Sequence, residues 1–197
     1  MNVLDFFPAG YSGYCVEAGA YDGMGFSSTY ELEQLGWKCL CIEPNINIYP
    51  ALKSRRSLCL PYALSNKNES DVRFEIHNDG GKGQEASMSS FHPNDQMIKT
   101  FGWTNPEVIL VETRTLDFCL KEVNFPKLDY LLLDVEGWEM VILEGFTLSY
   151  WKPEVLQIEN IFQSEKLRLF IKEHEYDFIG RLEYDDFYVK KDRKWRN

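Results

Sequence analysis

Four apolar runs in this chain end on or beside an acid: Glu17 within Val16-Glu17-Ala18, Glu43 after Lys38 to Ile42, Asp134 after Leu131 to Leu133, and Glu159 after Val155 to Ile158. If these runs are parallel strands, their acids collect beyond the carboxyl edge of one sheet, where open α/β folds bind ligands. The first pair has the chemistry of a nucleoside site. In Glu17-Ala18-Gly19-Ala20-Tyr21-Asp22-Gly23 small residues let a ligand approach the backbone closely. Glu43 follows at close to the roughly 20-residue spacing at which an acid accepts hydrogen bonds from ribose hydroxyls. An acid at Glu17, the lack of G-x-G-x-x-G and the lack of a P-loop lysine make the loop unsuited to a pyrophosphate. A cationic nucleoside fits better, and S-adenosylmethionine is one: ribose, adenine, a sulfonium and an amino-acid end. The competing reading is that Gly19 and Gly23 only shape a turn while Glu43 is solvated.

Asp134, Glu136, Glu159 and Asn160 form a second constellation, following two runs expected to be neighbouring strands. If the bound nucleoside is a methyl donor and the acceptor an alcohol, the site must align the acceptor and remove its proton. Three readings stand side by side. Asp134, Glu159 and Asn160 are hard-oxygen ligands suited to Mg or Mn, which would lower the hydroxyl pKa. Alternatively a carboxylate is the direct base, or the acids hydrogen-bond the acceptor and cap helices, a role that suits Glu136 at an expected helix start. His92, in Ser89-Ser90-Phe91-His92-Pro93, is a further candidate for reaching the acceptor, against an ordinary loop histidine. Trp103 and Trp138 could stack on a sugar ring, although Trp138 beside Val141 and Ile142 also reads as core.

The elements that must position these residues alternate strand and helix, without internal repeats. Strands are predicted at Gly13 to Ala18, Lys38 to Ile42 and Leu58 to Leu64. The helix after the first begins at a capping box of Ser28 and Glu31 and stops at Gly36. Val72 to His77 alternates like a half-exposed strand, Asn78 to Ser90 reads as a long loop, and Val108 to Val111 as another strand. Thr115 caps a short helix ending near Val123. Leu131 to Leu133 is apolar on consecutive residues, as in a central strand covered on both faces. A helix from about Glu136 to Leu143, a strand at Val155 to Ile158, a helix from Ser164 to Glu173 and strands near Tyr176 to Gly180 and Phe187 to Lys190 complete the chain. The order predicts an α/β fold, a doubly wound, mostly parallel seven-stranded Rossmann-like sheet with an antiparallel C-terminal strand.

Composition narrows the function classes. The chain has 197 residues, 44% hydrophobic and 15% aromatic, enough for one packed core over residues 1–197 and too apolar for disorder. Its net charge of -10 and pI near 4.8 disfavour a nucleic-acid partner. No apolar run approaches the roughly 20 residues of a membrane span. The N-terminus lacks the basic residues of a secretory signal. Five cysteines, most of them in apolar segments, read as reduced thiols, so the expected location is cytoplasmic. The basic run Lys190, Lys191, Arg193, Lys194 and Arg196 reads as a solvated tail.

The segments VEAGAYDG (Val16 to Gly23), CIEPN (Cys41 to Asn45), YALSN (Tyr62 to Asn66), TRTLDF (Thr113 to Phe118), LLLDVEGWEMVILEG (Leu131 to Gly145) and LQIEN (Leu156 to Asn160) together resemble the FkbM-type methyltransferases, a class I S-adenosylmethionine-dependent group. The resemblance implies that Glu17, Gly19 and Asp22 line the methionine end, that Ala20 and Tyr21 also belong to the cofactor site, that Glu43 holds the ribose, and that Ala63, Leu64 and Ser65 face the adenine. The commoner family loop has Asp where Glu17 stands, and often Asn where Tyr21 and Asp22 stand. The resemblance also implies O-methylation of a hydroxyl on a sugar or glycan, such as the deoxysugar rhamnose, and fusion to or association with glycosyltransferases. The strand after Met1 begins early, so the chain is expected to be a minimal enzyme or one domain of a longer polypeptide. Two alternatives use the same architecture: a nicotinamide-dependent oxidoreductase, and a non-catalytic nucleoside-binding domain.

Overall fold

The computed structural model describes residues 2–78, 88–90, 98–100, 102 and 104–193. After a 3-10 turn at Val3–Phe6 come β1 (Tyr14–Ala18), α1 (Tyr30–Gln34), β2 (Lys38–Ile42), α2 (Tyr49–Arg55) and β3 (Leu58–Leu60). The middle of the chain contains β4 (Ala63–Leu64), β5 (Glu69–Asn78), β6 (Met88–Ser90) and β7 (Thr104–Arg114). Then follow α3 (Leu116–Glu122), β8 (Tyr130–Leu133), α4 (Glu139–Glu144), α5 (Leu148–Trp151), β9 (Val155–Glu159), α6 (Glu165–Glu173), β10 (Tyr176–Leu182) and β11 (Asp185–Lys190).

Seven strands form one sheet in the order β3-β2-β1-β8-β9-β11-β10. All its pairings are parallel except those of β11, which runs against both β9 and β10. The chain winds outward from β1 to β3 and then returns to the other side of β1 as β8. That reversal puts a crevice beyond the ends of β1 and β8, where Ala18 stands opposite Leu133.

Side-chain alternation divides the core into two layers. Val16, Leu40, Leu131, Leu133 and Leu156 pack on one face against Leu120, Ile142 and Ile171 of three helices. Cys15, Cys39, Tyr130 and Leu132 face the other way, against Leu32 and Trp37. Every residue of β8 is buried, which is why that strand carries no polar alternation. All five cysteines are free thiols.

The doubly wound, mostly parallel seven-stranded sheet with an antiparallel C-terminal strand is as expected, but four local readings are corrected. The expected strand Leu58 to Leu64 is two: β3 closes the main sheet, while β4 belongs to a second sheet of order β4-β7-β5-β6. That sheet replaces the expected loop and short strands. β5 and β7 run ten and eleven residues as an antiparallel pair, and the supposed loop contains β6. The capping box at Ser28 is absent. α1 starts after Thr29, which makes no side-chain cap, and the Ser28 N–H donates to Glu17. Glu136 does not open α4. It stands with Gly137 in left-handed backbone, φ +58° and +90°, ahead of the helix.

Thr115 caps its helix as expected, accepting from Phe118 N–H, and Ser164 does the same for α6, accepting from Leu167 N–H. The β10–β11 hairpin is clamped by Asp186. This fully buried carboxylate accepts from Arg168, Arg181 and Asn160 at 2.7–2.9 Å.

Candidate functional site

The loops at the carboxyl ends of β1, β2, β8 and β9 enclose a cavity of about 560 Å³, with a side recess of about 60 Å³. Its form depends on Gly19, which sits at φ +80° where the first loop crosses the loop after β8. A Cβ at that position would stand 1.8 Å from the Asp134 carbonyl oxygen. Only glycine permits this crossing.

In the β1–β2 half both carboxylates are held by hydrogen bonds, Glu17 on every side and Glu43 by one N–H on each oxygen. Glu17 lies on the Cys15 face of β1, so it points toward the start of α1. It accepts from Ser27 Oγ at 2.8 Å, Thr29 Oγ1 at 2.5 Å and Ser28 N–H at 3.1 Å, and pairs with buried Arg56 at 3.2 Å. Burial raises its pKa, while these partners pull it back. Glu17 lines the recess and not the main cavity. Glu43 lies on the cavity wall. Its Oε2 accepts from Tyr21 N–H at 3.0 Å and its Oε1 from Asn45 N–H at 2.8 Å. Burial pushes its pKa up to about 7 against those two hydrogen bonds.

The β8–β9 half has the opposite character. Asp134, Glu136 and Glu159 each bring a carboxylate oxygen to within 4.8 Å of the others. Asp134 opens onto the cavity but lies deep in it. Burial, followed by the charges of Asp185 and Glu139, raises its pKa to about 8. Burial and neighbouring acids also raise Glu136 and Glu159. Glu139, held by Val135 N–H and Gly137 N–H, rises to about 7 through burial. No described residue lining the cavity is Lys, Arg or His.

The expected residues separate into three groups. Gly19, Tyr21, Glu43, Ala63, Leu64, Asp134, Glu136 and Glu159 line the main cavity. Glu17 and Ala20 reach only the recess, Ala20 by packing with Cys41 and Leu52. Asp22 lines neither cavity: it accepts from Met24 N–H and Gly25 N–H and pairs with Arg55. Ser65 is buried outside the wall. Asn160 does not reach the cavity with Asp134 and Glu159: its side chain donates to Asp186 and accepts from Ser164 N–H, and the third carboxylate beside Asp134 and Glu159 is Glu136. Trp138 combines both of its readings, lining the cavity and packing against the core. His92 and Trp103 lie outside the described residues.

Several lining residues escaped the sequence reading. Gln157 shares the Glu159 face of β9 by simple alternation and was discoverable from it. Phe26, Phe74, Leu182, Tyr184 and Asp185 gave no such signal, because the second sheet and the β10–β11 hairpin bring them to the cavity.

A solved structure, methyltransferase FkbM from Methylobacillus flagellatus KT, is similar with a TM-score of 0.53 and 15% identity, covering 90% of this chain and 43% of that one. The chain thus spans less than half the length of that relative. At this identity the likeness speaks for the fold. No functionally curated protein matches the chain in sequence. Residues 17–178 match the methyltransferase FkbM domain, from the first loop acid through α6 into β10, and on that match the chain belongs to the FkbM methyltransferase family.

Proposed function

We propose that this chain binds S-adenosylmethionine in the β1–β2 half of the cavity and methylates a hydroxyl of a sugar or glycan presented to the β8–β9 half. The observation that carries the reading is one continuous cavity with Glu43 on one wall and Asp134, Glu136 and Glu159 on the other. The residues fit the donor. Glu43 offers carboxylate oxygens to ribose hydroxyls, Tyr62, Ala63 and Leu64 offer an apolar slot for a flat base, and the surplus of carboxylates favours a cation. Glu17 supports this indirectly, since its hydrogen bonds to Ser27, Ser28 and Thr29 hold the loop that shapes the recess.

When bound, S-adenosylmethionine supplies a methyl carbon activated for displacement by its sulfonium. The chain aligns the acceptor oxygen and accepts its proton as the new carbon–oxygen bond forms and the carbon–sulfur pair returns to sulfur. We assign that proton to Asp134, which lines the cavity beside Glu136 and Glu159 and whose carboxyl, raised to about 8 by burial, holds a proton more readily near neutral pH than an ordinary aspartate. Phe26, Trp138 and Tyr184 give aromatic surface for a sugar ring at the wall and mouth.

Calorimetry with S-adenosylhomocysteine tests the donor site, and methyl transfer to nucleotide sugars and free glycans tests the acceptor. Saturable product binding is expected, together with an Asp134→Asn variant that keeps this binding and loses turnover. A protein that ignores S-adenosylhomocysteine overturns the proposal, and wild-type turnover in Asp134→Asn removes Asp134 as base.

A further inference from the structure

We infer that Asp134, Glu136 and Glu159 form a binding site for one divalent cation of the Mg or Mn class on the acceptor side of the cavity. The inference rests on the placement of the acceptor in the preceding proposal, and it adds a second cation to that site. Oxygens sharing one ion at 2.0–2.6 Å lie no more than about 4–5 Å apart, and the three carboxylates meet that limit at 4.8 Å. A cluster of acids alone would mean little. The independent observation is Glu159, only 8% exposed and lining the cavity: its Oε2 accepts from no described N–H or hydroxyl, and its carboxyl meets that of Glu139, another acid. An orphaned buried carboxylate oxygen is costly unless a ligand completes it.

The charge balance points the same way. Six carboxylate residues line the cavity, Glu43, Asp134, Glu136, Glu159, Glu183 and Asp185, with no described cationic side chain among them. A single sulfonium leaves most of that charge uncompensated. Three protein oxygens leave coordination positions for water and for the acceptor hydroxyl, whose pKa a bound divalent ion lowers. Glu136 can join the set because its left-handed backbone, ahead of Gly137, turns it back toward Asp134.

The test is titration with Mn²⁺ alone, followed by calorimetry and by its paramagnetic resonance signal, on wild type, Glu159→Gln, Asp134→Asn and Glu43→Gln. One ion per chain is expected, with affinity at least 10-fold lower in Glu159→Gln and Asp134→Asn and unchanged in Glu43→Gln; thermal melts verify that each variant is folded. Absence of binding, or binding untouched by both acceptor-side variants, overturns the inference. Saturable binding of glucosamine in place of Mn²⁺ also overturns it, in favour of an acceptor bearing a protonated amine. S-adenosylhomocysteine affinity, measured in parallel with chelator present, separates the two proposals: product binding without Mn²⁺ binding ends the metal site alone, and Mn²⁺ binding without product binding ends the methyl-donor reading.

Discussion

Two carboxylates at equivalent strand ends, Glu17 on β1 and Glu159 on β9, are both buried, yet their surroundings are opposite. Glu17 is surrounded by two hydroxyls, a backbone N–H and the Arg56 guanidinium. Glu159 faces other acids and leaves an oxygen that no described N–H or hydroxyl satisfies. The contrast separates architecture from function: an acid whose oxygens are fully engaged builds the loop, and an acid left unsatisfied waits for something the fold does not provide.

The largest effect expected from breaking this contrast is on stability. Glu17→Ala removes the shared acceptor of Ser27, Ser28 and Thr29 and one of the two carboxylates paired with buried Arg56, and should cost about 3 kcal/mol in urea unfolding. Next comes Glu43, which shares features of both sides, held by two N–H groups yet open to the cavity. Glu43→Ala should weaken S-adenosylhomocysteine binding by about 1.5–3 kcal/mol, roughly 10- to 150-fold by calorimetry, with little change in unfolding.

The pH dependence sharpens the point. The folded Glu43 carboxyl titrates near 7, above the 4.5 of the unfolded chain. Between those values the folded state keeps a proton the unfolded state has lost, so the stability that this group contributes to the unliganded protein falls as pH rises through that window. In the proposed donor site the carboxylate is the form that binds the ribose, so product affinity should instead rise as pH rises through 7. Glu43→Gln should flatten both trends. The smallest effect is a gain: Glu159→Gln removes one charge from a cluster lined only by acids and should stabilise the unliganded protein by about 1 kcal/mol in the same denaturation assay.

The main sheet was legible because its strands announce themselves locally. Leu131 to Leu133 is apolar without alternation, and Lys38 to Ile42 ends on Glu43-Pro44, so the strand ends and their acids could be placed from the residues alone. The second sheet was not, because β5 and β7 pair across some thirty residues and neither strand encodes its partner. The side-chain direction of Asn160 was hidden for a related reason. An amide after a strand end can turn to either side, and its direction is decided by Asp186 on a hairpin that returns late in the chain. Glu139 resembles any acid on a helix, and its role appears only when its carboxylate is found holding the Val135 and Gly137 N–H groups.

The crossing of Gly19 over the Asp134 carbonyl has a mechanical meaning. The contact that leaves no room for a Cβ at Gly19 is with main chain, so the two loops are fixed to each other through backbone, and side-chain exchange does little to the gap between them. Variation at the tip residues Leu182 to Tyr184 can therefore retune what enters the mouth while the reacting partners stay in register. Lengthening either crossing loop by a single residue would forfeit that alignment at once.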